Sequence, residues 1–477
     1  MSVLDQNKPY QKYFEELTKI PHGSGNEKAI SDFLVNFAKE LNLEVVQDKA
    51  NNVIVYKEAS KGYEDHPSVM LQAHIDMVNE KNGDSDHDFD KDPLDIYIED
   101  GYLKARGTTL GGDDGAGVAY IMAVLADESL EHPRLNALFT TGEEATMIGA
   151  FTVDPKLLDA RRLINIDGEE EDVSNTASAG GIDVLFHRAV NWTKNDIDCY
   201  ELKVSGLSGG HSGGEIHKEK GNANKIAARI LHNLAKDGTI TLCEISGGLK
   251  VNAIPREAKA VFAATAGEAK VKETAQRVID EIKKELEYTD SGLCVEIKAV
   301  DKAAEAMDQK TSDAIVDLMY LMPTGLRHKS DHLDGLTVAS ENIGVVTTGK
   351  AGFDLAISIR GALDSYVQDM TDELKTLGSL LGFTCKDDNW YPCWDYMDVS
   401  PLRDTMNEVY REVHGKDLIL EAIHGGLECG IFKEKMHDLD IVTMGPNLYD
   451  VHTPDEKLNM ESFDRTYTFL CKFLSRL

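Results

Sequence analysis

The sequence predicts an α/β protein: a mixed, mostly parallel sheet with helices on both faces, interrupted by an inserted α+β domain. Three observations lead there. Short apolar or β-branched runs alternate with helical ones through the first part of the chain, the texture changes near residue 180, and the first texture returns after residue 395. At 477 residues the chain is long enough for more than one core.

Ile30, Phe33, Leu34, Phe37 and Leu41 fall at helical spacing, with Ser24 to Asn26 upstream as cap candidates. There follow NVIVY (52–56), SVMLQAHID (68–76), VAYIMAVLAD (118–127), LNALFTT (135–141) and RLINID (162–167), the strand and helix runs of a largely buried sheet. SAGGIDVLFHRAV and YELKV open the second texture, which continues through the amphipathic stripe Ile226, Ile230, Leu234 and the strands KAVFAAT and LAISIRG. PLRDTMNEVYREVHG, DLDIVTMGP and ESFDRTYTFLCKFLSRL then read as helix, strand and terminal helix. The predicted organisation is a discontinuous domain of residues 1–184 and 396–477 around an insertion of residues 185–395.

Composition narrows the function. Asp and Glu number 83 against 50 Lys and Arg, a formal charge of -33, so the surface repels phosphate backbones and anionic headgroups. Neither nucleic acid nor a membrane is an expected partner. The seven cysteines are scattered without a CxxC pair and read as reduced thiols. The N-terminal residues lack the apolar core of a signal peptide, and no apolar run reaches the length of a membrane span. A soluble cytoplasmic protein is expected.

The chemistry lies where the apolar runs end. SVMLQAHIDMV puts His74 and Asp76 two residues apart, on one face of a strand end. Other strands end at Glu143 and Glu144 and at Asp167, a further strand leads into a loop carrying His452, and Asp113 and Asp114 occupy a glycine turn at the mouth of a helix. Open α/β sheets place their sites at the carboxyl ends of strands. Singly, each has an ordinary reading: His74 as a hydrogen-bonded core histidine, Glu143 and Glu144 as a solvated loop, His452 as a surface residue. Together, imidazoles and carboxylates without thiolate suit two divalent cations of the zinc, manganese or cobalt kind, with one carboxylate bridging and one left as general base.

Three other signals carry less. GLSGG (206–210) has the G-x-S-x-G pattern, but five glycines between 206 and 214 forbid the helix a nucleophile elbow needs. DSDHDFDKDPLD has Phe89 where a calcium loop needs glycine, and GGHSGG lacks the lysine of a phosphate-binding loop. His211, within that segment, remains a candidate because glycines let a ligand approach closely.

LQAHIDMV, KARGTTLGGDDGAG, the Glu143-Glu144 pair, GGHSGGEIHKEKGNANK, NAIPREA and HGGLECGIFKEK occur in the order of one known family. Over essentially the whole chain the sequence resembles the aminoacylhistidine dipeptidase (Xaa-His dipeptidase, peptidase D) branch of the two-metal aminopeptidase, carboxypeptidase and deacylase family. The resemblance implies a zinc-peptidase-like catalytic domain split around a lid. It implies that His74 and Asp167 bind one metal, that Glu144 and His452 bind the other, and that Asp113 bridges them. It further implies that Asp76 orients His74, that Glu143 is the general base, and that His211 polarises the scissile carbonyl. Asn252 and Arg360 are implied substrate contacts, Arg360 suiting a terminal carboxylate, and the loop of His424 and Glu428 would line the pocket.

Thr146 and Asp114 stand where the branch carries Gly and Asn. The second departure gives the bridge two candidates, and motif position favours Asp113. The expected activity is metal-dependent hydrolysis of unblocked dipeptides, Xaa-His among them, on two zinc ions, manganese and cobalt being alternatives. A tripeptidase or amide deacylase would use the same ligands. The sequence leaves a homodimer open.

Overall fold

The computed structural model describes residues 2–330 and 337–477. The chain forms two compact units, Met1–Ala177 with Tyr396–Ala422 and Leu427–Leu477, and Ser178–Asp395 with Ile423–Gly426. The first crossing precedes the expected residue 184 because the strand Gly180–Ala189 pairs from its first residue with Gly352–Gly361, the Gly180 to Gly361 register opening the ladder. The short return Ile423–Gly426 adds His424 to the second unit.

The first unit is built on a mixed sheet whose strands run Glu44–Gln47, Val53–Lys57, Leu135–Thr140, Val69–His74, Arg162–Asn165, Asp440–Thr443. The first two pairings are antiparallel and the last three parallel. Val69–His74 and Leu135–Thr140 are buried at every position, as strands covered on both faces must be. Val69, Leu71 and Ala73 join a core containing Phe14, Leu34, Tyr120, Met406 and Phe463 from the helices Pro9–Leu17, Lys28–Glu40, Gly112–Ala126, Pro401–His414 and Met460–Leu474. The opposite face, through Gln72, meets Glu428 of the helix Glu428–Lys435. Helices therefore lie on both faces, and the fold class is that expected from sequence.

The helix starting at Lys28 takes Glu27 as its N-cap without a side-chain bond. Ser24, a cap candidate in the sequence, instead donates to Asp76 at 2.7 Å. VAYIMAVLAD lies within the helix Gly112–Ala126 and its end. The acidic stretch around Asp84–Asp95 is mostly exposed loop.

The second unit holds a nine-stranded antiparallel sheet among the described residues. Its two halves meet through one register pair, Gly247 with Val346. Asn222 caps the helix Ala223–Asp237 by accepting from the Lys225 N–H, and the predicted stripe Ile226, Ile230 and Leu234 is buried against the sheet. Among the described residues no helix is long and apolar enough to cross a membrane.

Candidate functional site

In the first unit the polar strand ends converge. His74, 1% exposed, ends Val69–His74; its Nε2 lies 3.0 Å from Asp113 Oδ1 and 3.4 Å from Asp167 Oδ1. Asp113 offers its other oxygen to His452 Nε2 at 3.2 Å, and Glu144 Oε1 approaches the same nitrogen at 2.9 Å. Asp113 thus faces one imidazole with each oxygen. Asp114 is spent differently: its oxygens accept the backbone N–H of His74 at 3.2 Å and of Gly117 at 3.1 Å.

Asp76 closes the cluster from behind. The nearer partner of His74 Nδ1 is the Asp76 backbone carbonyl at 3.0 Å, with the carboxylate at 3.5 Å. That carboxylate accepts the N–H groups of Glu143 at 3.0 Å and Glu144 at 3.3 Å, together with the Ser24 hydroxyl. It therefore fixes the backbone that presents the glutamate pair as well as the imidazole. Glu143 is half-buried; burial, with Asp167, Glu428 and Glu144 near it, pushes its carboxyl well above the ordinary range against the pull of His74.

The electrostatics describe a receptor for positive charge. Burial alone would lower His74, but Asp167, Asp113 and Asp76 hold it above its ordinary value. Hydrogen bonds to Asp113 and Glu144 raise His452 to about 11. Burial raises Asp167 to about 6. Two sets of donor atoms, from His74, Asp113 and Glu144 and from His74, Asp114 and Asp167, each lie within 4.8 Å of one another. Nitrogen and oxygen donors in carboxylate excess fit a divalent cation of the zinc or manganese kind.

Beneath this cluster runs a layer the sequence reading passed over. Asn165 donates to Gln72 at 2.7 Å; Gln72 and Thr140 each donate to Glu428 Oε2 at 2.7 Å. All four side chains are fully buried, and burial raises Glu428 to about 8. Glu428 therefore sits under the strand ends and lines no pocket open to solvent, because its carboxyl is held between Gln72 and Thr140. Gln72 and Asn165 stand two residues before His74 and Asp167, and polar residues at that period inside apolar strands are the signal that could have shown the layer.

The other candidates belong to the second unit. His211 Nδ1 accepts the N–H groups of Gly213 at 3.2 Å and Gly214 at 3.3 Å, which puts the ring proton on Nε2. His211 pairs with Ala253, and the Asn252 carbonyl accepts the Ser212 N–H at 2.9 Å. Arg360 pairs across the sheet with Ser340 and donates to the Tyr391 hydroxyl at 2.9 Å. Ser340 bonds His424 Nε2 at 2.7 Å, while Asn342, on the same strand face, donates to the Val251 and Ala253 carbonyls. Gly213 is required here: a Cβ on it would stand 2.8 Å from the His424 carbonyl. Ser340 and Asn342 thus neighbour Arg360, His424 and the segment 251–253, whose Ala253 pairs with His211. Burial, then Arg360 and His217, lower His424 to about 3, so its ring is neutral.

The sequence of residues 70–476 matches the model of peptidase family M20/M25/M40. The chain belongs to that family. Cytosol non-specific dipeptidase of Escherichia coli (strain K12) is 37% identical, the match covering 100% of this chain and 99% of that one. The aminoacylhistidine dipeptidase of Vibrio alginolyticus has a similar structure, with a TM-score of 0.90 and 33% identity over 99% of this chain and 97% of that one. A Staphylococcus aureus tripeptidase, at 17% identity and a TM-score of 0.56 with 99% of each chain covered, shares the fold. As an M20/M25/M40 peptidase, the protein is a hydrolase acting on peptide bonds.

Proposed function

We propose that the protein is a cytoplasmic two-metal dipeptidase that hydrolyses unblocked dipeptides, those with a C-terminal histidine included. The observation that carries this reading is Asp113, whose two oxygens face His74 and His452 separately. The full-length similarity to two proteins named as dipeptidases supports it over a tripeptidase or an amide deacylase. In this reading His74 and Asp167 would hold one cation and Glu144 and His452 the other, with Asp113 available to both. Zinc is the expected metal.

Two such cations, when bound, acidify water and supply positive charge where the tetrahedral oxyanion develops. The rest is the work of this chain. Glu143, with its backbone held by Asp76, takes a proton from the attacking water and returns it to the leaving amine. His211 donates from Nε2 to the scissile carbonyl, Arg360 grips the terminal carboxylate through its guanidinium fork, and Asn252 and His424 contact the remainder of the substrate.

A release assay on free dipeptides, Xaa-His included, tripeptides and acylated amino acids, each with added divalent metal or chelator, tests the reading. Turnover confined to free dipeptides and lost on chelation is expected. Turnover of acylated substrates alone would overturn it in favour of a deacylase.

A further inference from the structure

Glu456 lies four residues beyond His452 and is 3% exposed. Its carboxylate accepts four backbone N–H groups from the turn that carries Asp113. Oε2 takes Leu110 at 2.8 Å and Gly111 at 3.2 Å; Oε1 takes Gly112 at 2.8 Å and Asp113 at 3.4 Å. Every partner is a donor and both oxygens are used, so only a group that accepts at both ends satisfies the arrangement. A glutamine of the same shape would turn its NH2 toward two N–H groups whichever way it flipped.

The turn is shaped around this side chain. Gly111 has a φ of +66°, and a Cβ on Gly112 would stand 3.1 Å from Glu456 Oε1 and 2.6 Å from Leu448 Cδ2. Glu456 is fixed in its own right: its N–H donates to the Thr453 carbonyl at 3.1 Å, and the strand that follows, Lys457–Asn459, pairs with Tyr102–Ala105. Asp113 and His452 are 339 residues apart in the chain. One buried carboxylate ties the backbone presenting the first to the loop presenting the second.

We propose that Glu456 is a positioning residue of the metal centre, setting the Asp113 turn against the His452 loop so that the two side chains that would hold the cations face each other. The inference rests on the reading of Asp113 and His452 as ligands. Side chains that orient ligands affect metal affinity directly, whereas a purely structural buttress would change only the stability of the fold.

The test compares wild type, Glu456→Gln, Glu456→Asp and Asp113→Asn after metal removal, reading zinc affinity by competition with a chromophoric chelator beside the far-UV spectrum and thermal midpoint. Glu456→Gln is expected to lose about 10- to 100-fold in zinc affinity with an unchanged spectrum, and Glu456→Asp, which keeps the acceptors one methylene back, less. Zinc binding by Glu456→Gln within about twofold of wild type, whatever its midpoint, would overturn the proposal. Should Glu456→Gln not fold, the same limit applied to Glu456→Asp decides. If Asp113→Asn itself binds zinc as wild type does, the ligand assignment fails; if it weakens while the Glu456 variants do not, only the positioning role fails.

Discussion

At the residue scale, the site works by giving each carboxylate a different set of partners. Asp114 is occupied by backbone N–H groups, Asp113 faces two imidazoles, and Asp76 holds the backbone of the glutamate pair. Among the described residues no hydrogen bond holds the Glu143 side chain, in keeping with the role of base that the resemblance implies. Replacing Glu143 with Ala should lower kcat about 10²- to 10⁴-fold on a free dipeptide while the bound metal per chain stays as in wild type. Parallel metal analysis and steady-state kinetics check this; a variant that keeps turnover would exclude Glu143 as the base. The imidazole and carboxylate members of the cluster were legible in the sequence because strands buried on both faces leave few tolerated polar positions, so His74 and Asp167 stand out from apolar runs. The division of labour between Asp113 and Asp114 was indicated only by motif position, because adjacent residues of one type differ only in where the turn points them.

At the scale of elements, the two chain ends support the core beneath the site. Asp464, on the terminal helix Met460–Leu474, receives Lys8 at 2.5 Å, the Tyr10 hydroxyl at 2.7 Å and the Gln11 amide at 2.7 Å. Burial opposes its ionisation, but Lys8, Tyr10 and Gln11 together hold it below the ordinary 3.8. A carboxyl lowered on folding contributes stability above its unfolded value and loses that contribution as pH falls through the folded one. Asp464→Asn should therefore be less stable than wild type at pH 7, by about 1–3 kcal/mol. The difference should shrink as pH drops below about 4, as read by chemical denaturation across pH. A deficit that grows toward acid would contradict the charge assignment. The amphipathic helices and apolar strands were readable from their periods. The polar layer was only half visible: Gln72 and Asn165 interrupt apolar strands, but Thr140 and Glu428 come from other segments and join them only when parallel pairing aligns the strands.

At the scale of the whole molecule, the chain leaves its first unit and returns, and each unit carries its own polar group. The change of texture near residue 180 was visible because alternating strands of an antiparallel sheet differ from the continuous apolar runs of a parallel one. The return Ile423–Gly426 was invisible, since four residues carry no periodicity. It nonetheless brings His424 beside Ser340 in the second unit, while Glu428, a few residues on, lies in the core of the first. In the function proposed above, the carboxylate and imidazole cluster of the first unit is a two-metal centre for dipeptide hydrolysis. The most direct test is to strip the protein of metal and follow hydrolysis of a free dipeptide as zinc is added in known ratio to the chain. A two-metal centre gives no turnover in the stripped protein and a rise that levels off at two zinc ions per chain. Full turnover without metal, or saturation at one ion, would contradict it.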